Sequence, residues 1–217
     1  MHDNPALNKC IQNVNKSPKD DVSKGIVPIY CFDPRFVGGD TLTPFGSQKC
    51  GVRRARFLLD SVEDLRSNLE KNGSGLVVAY GKTEDIMEKL CKSIDEAVGE
   101  GIEPNVVVQE EPASEEYAVD KAVKRAVKSF KSGATGNLDQ VWAATLYDID
   151  DLPFNDGVHG IPDTFTPFRN KVEKVSLVYR IQIFSTLSCH ATSFANLTPF
   201  LVTELQNSIA IANSTKK

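Results

Sequence analysis

Apolar residues follow two rhythms along this chain. Ile26–Phe32 is a short, nearly continuous apolar run with β-branched and aromatic members, and Leu76–Tyr80, Asn105–Val108 and Leu138–Ala143 are further strand-like runs. Such runs predict strands buried on both faces of a parallel sheet. Pro28 is a weak point in the first, because it removes one ladder donor. Between the runs the period changes to that of a helix. From Arg53 onward, Ala55, Leu58, Val62, Leu65 and Leu69 fall on one face, and Gly73 stands where a left-handed residue would stop the helix. Thr83 offers the cap of a second helix with the stripe Ile86, Leu90, Ile94 and Ala97, closed by Gly99 and Gly101. Ser114 offers the cap of a third. Its first turn carries Glu115 and Glu116, and Lys121, Lys124, Arg125 and Lys128 lie further along, the order that suits the helix dipole. Asp33-Pro34 reads as a turn, Asp40–Gly51 as a loop and Asn155–Asp163 as an exposed linker.

Strands separated by helices of this length predict βαβ units with right-handed crossovers and a doubly wound, Rossmann-like α/β fold. Open sheets of this kind hold ligands beyond the carboxyl ends of their strands, where the strand order reverses. The segment after Val108, Gln109–Glu116 (Q-E-E-P-A-S-E-E), is therefore expected to border a crevice.

Composition narrows the function classes. The chain has 217 residues, 41% of them apolar and 25% charged, which fits one domain with a tail. A net charge of −4 argues against a chain-wide attraction to nucleic acid or membrane. The five cysteines are scattered and odd in number, with no C-x-x-C, so neither a disulfide framework nor a zinc site is expected. Reduced thiols, no signal-peptide pattern and no run of about 20 apolar residues read as an intracellular protein.

Four runs carry a resemblance. They are I-V-P-I-Y-C-F-D-P-R (Ile26–Arg35), R-A-R-F-L-L-D-S-V-E-D-L-R (Arg54–Arg66), T-L-Y-D-I-D-D-L-P-F (Thr145–Phe154) and P-D-T-F-T-P-F-R-N-K-V-E (Pro162–Glu173). In this order and spacing they resemble the light-harvesting N-terminal domain of the photolyase/cryptochrome family, closest to the cryptochrome DASH branch. The resemblance covers His2 to about Val175, so residues 1–175 are expected to be that α/β antenna domain and 176–217 a tail unlike the family. It implies a parallel sheet of about five strands. The family's usual first, central strand precedes H-D-N, here His2–Asn4, and its helical FAD-binding domain follows; neither is expected in this chain.

The resemblance also implies chemistry. Complete family members are blue-light flavoproteins. A methenyltetrahydrofolate antenna passes excitation to FAD, which repairs cyclobutane pyrimidine dimers, in single-stranded DNA for the DASH branch. The family pattern resembles H-K-E-x-x-S-E-E, so Glu111 matches the carboxylate that holds the folate, with Gln109 and Glu110 in place of His and Lys. A carboxylate can accept the paired N–H and amino donors of a pterin edge, as it does those of arginine. Tyr30, Cys31 and Phe32 are expected as walls for the ring. Read without the family, Glu111 is also simply a solvated acid of a helix-entry loop. DNA would be met only through the absent domain, and docking to a helical FAD domain or a full-length relative is an expected partnership. Complete relatives reside in chloroplasts, mitochondria or nuclei. Two other readings remain open: a generic nucleotide- or flavin-binding α/β module, and a non-catalytic truncated interaction form.

Weaker signals point elsewhere. Gly81-Lys82-Thr83 follows a strand, but Leu76 stands where a phosphate loop needs glycine. The stripe Lys121, Lys124, Arg125, Lys128 and Lys131 reads as a solvated face, and Asp148, Asp150 and Asp151 as a turn or docking element. Trp142 is expected in the core. His2, His159 and His190 are dispersed, and Cys189-His190 is no nucleophile–base pair. In the tail, Leu177, Tyr179, Ile181 and Ile183 alternate as in a half-buried strand that could fill the vacated central position. Thr198-Pro199 would start a helix with the stripe Leu201, Leu205 and Ile209.

Overall fold

The structure is a computed structural model that describes residues 4–16, 25–38, 41–98, 105–128, 137–147, 149–154 and 160–175. The expectations for Lys131, Asp148, the three histidines, Cys189 and the tail lie outside these residues.

Among the described residues the elements are, in order, α1 (Pro5–Asn15), β1 (Ile29–Phe32), α2 (Pro34–Val37), α3 (Val52–Lys71), β2 (Val77–Tyr80), α4 (Thr83–Val98), β3 (Asn105–Glu110), α5 (Ser114–Lys128), β4 (Asn137–Trp142) and α6 (Phe165–Val175). The strands form two parallel pairs. Ile29 to Phe32 of β1 lie opposite Val77 to Tyr80 of β2. Asn105 to Glu110 of β3 lie opposite Asn137 to Trp142 of β4. One continuous sheet of about five strands does not form among the described residues; four strands stand as β1–β2 and β3–β4.

Side-chain parity sorts the helices into two layers. Ile29 of β1 and Val106 and Val108 of β3 pack into one cluster with Met87 and Leu90 of α4 and Val119, Val123 and Val127 of α5. Tyr30 and Phe32 alternate with Ile29 and face the other way. They join Val62 and Leu58 of α3 and Val78 of β2. On the second pair, Gln140 bonds Asp120 of α5 at 3.0 Å, whereas Asp139 turns to Lys9 of α1 at 3.6 Å. Thus α4 and α5 form one layer over both pairs, α3 backs β1–β2, and α1 backs β3–β4. Among the described residues, the α/β body is two parallel strand pairs with helices on both sides.

The helix stripes match the sequence. Val62 and Leu69 of α3 are buried, as are Ile86 and Leu90 of α4. Gly73 takes φ +73, and the amides of Gly73 and Ser74 bond back to Glu70 and Leu69, satisfying the last carbonyls of α3. Pro28 lies just outside β1, where its carbonyl accepts from Val77 and its missing N–H costs no rung. The proposed caps differ. Tyr117 N–H bonds to Ala113 O, so Ser114 is the first helical residue and not the cap of α5. Trp142 is half-buried at the end of β4, its indole N–H donating to Thr145 Oγ1 at 2.8 Å, and so sits at the rim of the core.

Candidate functional site

The carboxyl ends of β1, β2 and β3 open into one cavity of about 490 Å³. Pro34 and Phe36 after β1, with Ala118 and Val119 of α5, form apolar walls. Arg35, Lys49, Lys82 and Glu115 supply the charged rim. Residues that follow three separate strands line this one space, so both strand pairs point the same way. It is where a doubly wound sheet places its ligand.

One buried acid organises the near side. Asp33, 3% exposed, immediately follows β1. Its Oδ1 accepts the backbone N–H of Arg35 at 2.9 Å, at the start of α2, and Arg35 Nε at 2.9 Å. Its Oδ2 accepts Arg35 Nη2 at 2.6 Å and both the N–H and the hydroxyl of Thr83 at 3.0 Å. Asp33 therefore caps α2 and, from fifty residues away, α4. Thr83 is a donor to Asp33 and not the cap expected from sequence. Arg35 also forks onto Glu84 at 3.1 and 2.6 Å. Burial by itself would push the Asp33 carboxyl up; the Arg35 guanidinium, then the amides of Arg35 and Thr83 and the Thr83 hydroxyl, outweigh it and hold the group down at about 2.

The loop from Thr41 to Cys50 is tied onto the same corner. Thr41 Oγ1 donates to Pro34 O at 2.6 Å, and Lys49 Nζ reaches Glu115 of α5 at 2.6 Å. A Cβ on Gly38 would stand 2.4 Å from Pro34 O and 2.8 Å from Thr41 Oγ1, so only glycine lets the loop close this tightly.

The residues expected at the site divide. Strand β3 runs to Glu110, so Gln109 and Glu110 belong to the strand and not to the loop after it. Glu111 is the first residue beyond, half-buried, with Oε1 accepting Gln109 Nε2 at 3.0 Å. No hydrogen bond to its Oε2 is formed among the described residues. It is not part of the cavity wall. Glu110, Glu111 and Glu116 all repel Asp120, whose pKa is raised first by burial and then by these acids.

Tyr30, Cys31 and Phe32 do not form walls of this cavity. The rings of Tyr30 and Phe32 meet edge-on at 4.9 Å between centroids and are occupied by the α3 side of the sheet. Burial pushes the Cys31 thiol up to about 12, with Asp33 adding to the rise. The site residues that sequence reading missed are Asp33, Arg35, Thr83, Glu84 and Lys49. The D-P-R run after a strand was visible, but its partners Thr83 and Glu84 were not, because they lie some fifty residues further along the chain.

Lys121, Lys124, Arg125 and Lys128 are exposed, and Lys121 lies 4.3 Å from the centre of the Tyr117 ring. No group of three or more metal-ligating side chains occurs among the described residues. Two of the diagnostic runs meet each other: Phe154 stacks on Phe168 at 5.8 Å, and Lys171 sits 4.8 Å over the Phe154 ring.

With this geometry in place, the comparisons decide the family. The DNA photolyase family matches residues 1–187. The chain belongs to that family. This photolyase-family chain is 39% identical over 173 residues to cryptochrome DASH of Danio rerio, covering 80% of the chain and 29% of that relative. It is 37% identical over 166 residues to the chloroplastic/mitochondrial cryptochrome DASH of Oryza sativa subsp. japonica, covering 72% of the chain and 27% of that relative. It therefore spans under a third of either relative. A Synechocystis cryptochrome structure superposes with a TM-score of 0.66 at 24% identity, over 90% of this chain and 37% of that one. An archaeal photolyase from Sulfolobus tokodaii, solved with two FAD molecules, superposes at 0.57 and 19% identity, over 91% of this chain and 38% of that one. These two likenesses show the photolyase-like α/β fold. No helix among the described residues is long and apolar enough to cross a membrane.

Proposed function

We propose that this chain is the antenna-binding module of a cryptochrome DASH-type photolyase, with a folate such as methenyltetrahydrofolate as its chromophore. The observation that carries the reading is Glu111. It stands half-buried one residue past β3, at the carboxyl end of the sheet, with one carboxylate oxygen left open by its neighbours. The paired donors of a pterin edge match such a group. Tyr30, Cys31 and Phe32 support the site from behind, by fixing the end of β1 from which Asp33 and Arg35 project. When bound, the folate would supply light absorption in the near ultraviolet. The chain's own residues hold and orient it.

The test is binding of methenyltetrahydrofolate followed by absorbance, with Glu111→Gln alongside. Loss of one charge-assisted bond of about 2 kcal/mol corresponds to roughly 30-fold weaker binding. Glu111 is not part of the core, so the variant's unfolding midpoint should stay unchanged. Equal affinity of both proteins, or no binding by either, would overturn the assignment.

The cavity favours a second reading, a flavin or other nucleotide held between its apolar walls and its Lys49 and Lys82 rim. FAD retention that survives Glu111→Gln and fails on Lys82→Ala would select it. In either case FAD-dependent repair of cyclobutane pyrimidine dimers belongs to the complete family protein. The purified chain with added FAD should show no light-driven repair of dimer-containing single-stranded DNA.

A further inference from the structure

The cavity has one firmly fixed wall and one lightly held one. On the fixed side Arg35 is forked onto both Asp33 and Glu84, and Asp33 is buried. On the other side stand Thr41 and Lys49, the two feet of a small hairpin. Leu42 bridges to Gln48 across it, Thr43 N–H donates to Ser47 O at 2.7 Å, and the two hydroxyls meet at 2.8 Å. Gly46 turns the tip at φ +78. These bonds lie within the hairpin, so it moves as a unit. Its apolar side chains do not anchor it: Leu42 is exposed, and Phe45 at the tip is 96% exposed. An element with so little buried apolar area belongs to the low-stability end of a fold. Its feet are tied to near neighbours in the chain. Pro34 O accepts from Gly38 N–H at 3.0 Å and from the Thr41 hydroxyl at 2.6 Å, and Lys49 O accepts from Arg54 Nη1 at 3.2 Å. Such ties leave a pivot. A different contact fixes the angle. Lys49 Nζ meets Glu115 Oε2 of α5 at 2.6 Å, from 66 residues away, and both residues border the cavity. The Lys49 side chain is 20% exposed and that of Glu115 54%. Ion pairs so open to water hold weakly, and this one can break at small cost.

We propose that the Thr41–Lys49 hairpin is a gate on this cavity, latched shut by the Lys49–Glu115 ion pair. Breaking the pair lets the hairpin swing about its ties to Pro34 and Arg54, and the space between its feet and α5 widens. The wall made by Asp33, Arg35 and Glu84 stays in place. An anionic group entering the cavity meets Lys49 in the wall and competes with Glu115 for it, so such a ligand opens the latch as it arrives. The gate concerns access to the cavity and does not depend on the part assigned to Glu111.

The test uses the full chain and the rate at which a thiol reagent labels Cys50, read peptide by peptide by mass spectrometry. Cys50 follows Lys49 and is buried at the hairpin's foot, so a swing there uncovers it. Cys91 of α4, also buried, reports on the body of the protein in the same sample. Glu115→Gln and Lys49→Met each break the latch, and each should speed Cys50 labelling about three- to fivefold while Cys91 keeps its rate. The two variants change the local charge in opposite senses. A direct effect of charge on the thiol would therefore drive them in opposite directions, and only opening drives both the same way. Glu116→Gln, one residue along the same helix turn, should leave the rate unchanged. Salt at about 0.5 M should speed labelling of the unmodified chain and of neither latch variant. Unchanged rates, or opposite shifts in the two variants, would overturn the gate. So would equal acceleration at Cys91, which would make the pair a prop for the whole fold.

Discussion

Asp33 is the residue on which the cavity's near side depends. Five donor groups converge on a carboxylate that is 3% exposed. Asp33→Asn keeps the size but removes the charge. It turns one acceptor oxygen into a donor that faces Arg35 and leaves Glu84 as the guanidinium's one charged partner in this cluster. Arg35 is partly exposed and can rehydrate, so the expected loss is about 2–3 kcal/mol, below that of a fully buried broken pair. The pH dependence separates charge from shape. The folded-state pKa of Asp33 lies below its ordinary 3.8, at about 2. Its contribution is therefore complete above about pH 4 and fades as pH falls toward 2, a loss on the order of 2 kcal/mol. Urea unfolding of both proteins at pH 7 and at pH 2.5 checks this. The gap should narrow sharply at the lower pH. A gap that stays constant would mean that packing, not ionisation, holds the corner.

At the scale of elements, what could be read from sequence was whatever is local. The stripes of α3 and α4 were legible because each buries one face at helical spacing, and Gly73 marked the stop of α3 because only the left-handed region closes that turn; the stripe of α5, Val119, Val123 and Val127, went unread beside its charges. Helix α1 went unread, although Asn4-Pro5 is a start signal: Asn4 Oδ1 accepts Leu7 N–H at 2.9 Å, with Pro5 at the first helical position. The capping of α4 was misread at Thr83 because the true acceptor, Asp33, comes from another strand. Strand β3 runs two residues beyond the expected end at Val108, which brings Glu111 to the first position after it, and the rings of Tyr30 and Phe32 could not be assigned a face without the register. Helix α5 offers a test of what the stripe is worth. Val127 is 1% exposed in the shared cluster, while Tyr117 on the outer face is 51% exposed. Val127→Ala should cost about 2 kcal/mol, and Tyr117→Ala less than about 0.5, by urea denaturation. Similar losses at both positions would mean that the outer face of α5 is itself covered.

For the molecule as a whole, α4 joins two halves that share no strand pairing among the described residues. Helix α3 clamps one half through Val62, against Phe32 and Val78. Helix α4 differs, because Met87 and Leu90 touch a cluster that takes Ile29 from one pair and Val106, Val108 and Leu138 from the other. A cavity in that cluster should loosen both halves together, whereas one under α3 should loosen only its own. Leu90→Ala is expected to cost about 3 kcal/mol and to speed native-state amide exchange in β1, β2, β3 and β4 alike. Val62→Ala is expected to cost about 2 kcal/mol, with faster exchange concentrated in β1 and β2. The comparison needs only exchange rates at the four strands in the two variants. If Leu90→Ala loosened a single pair, α4 would be a local cover for that pair. The two pairs would then unfold as separate units, and a ligand in the crevice between their carboxyl ends would have no rigid frame to hold it.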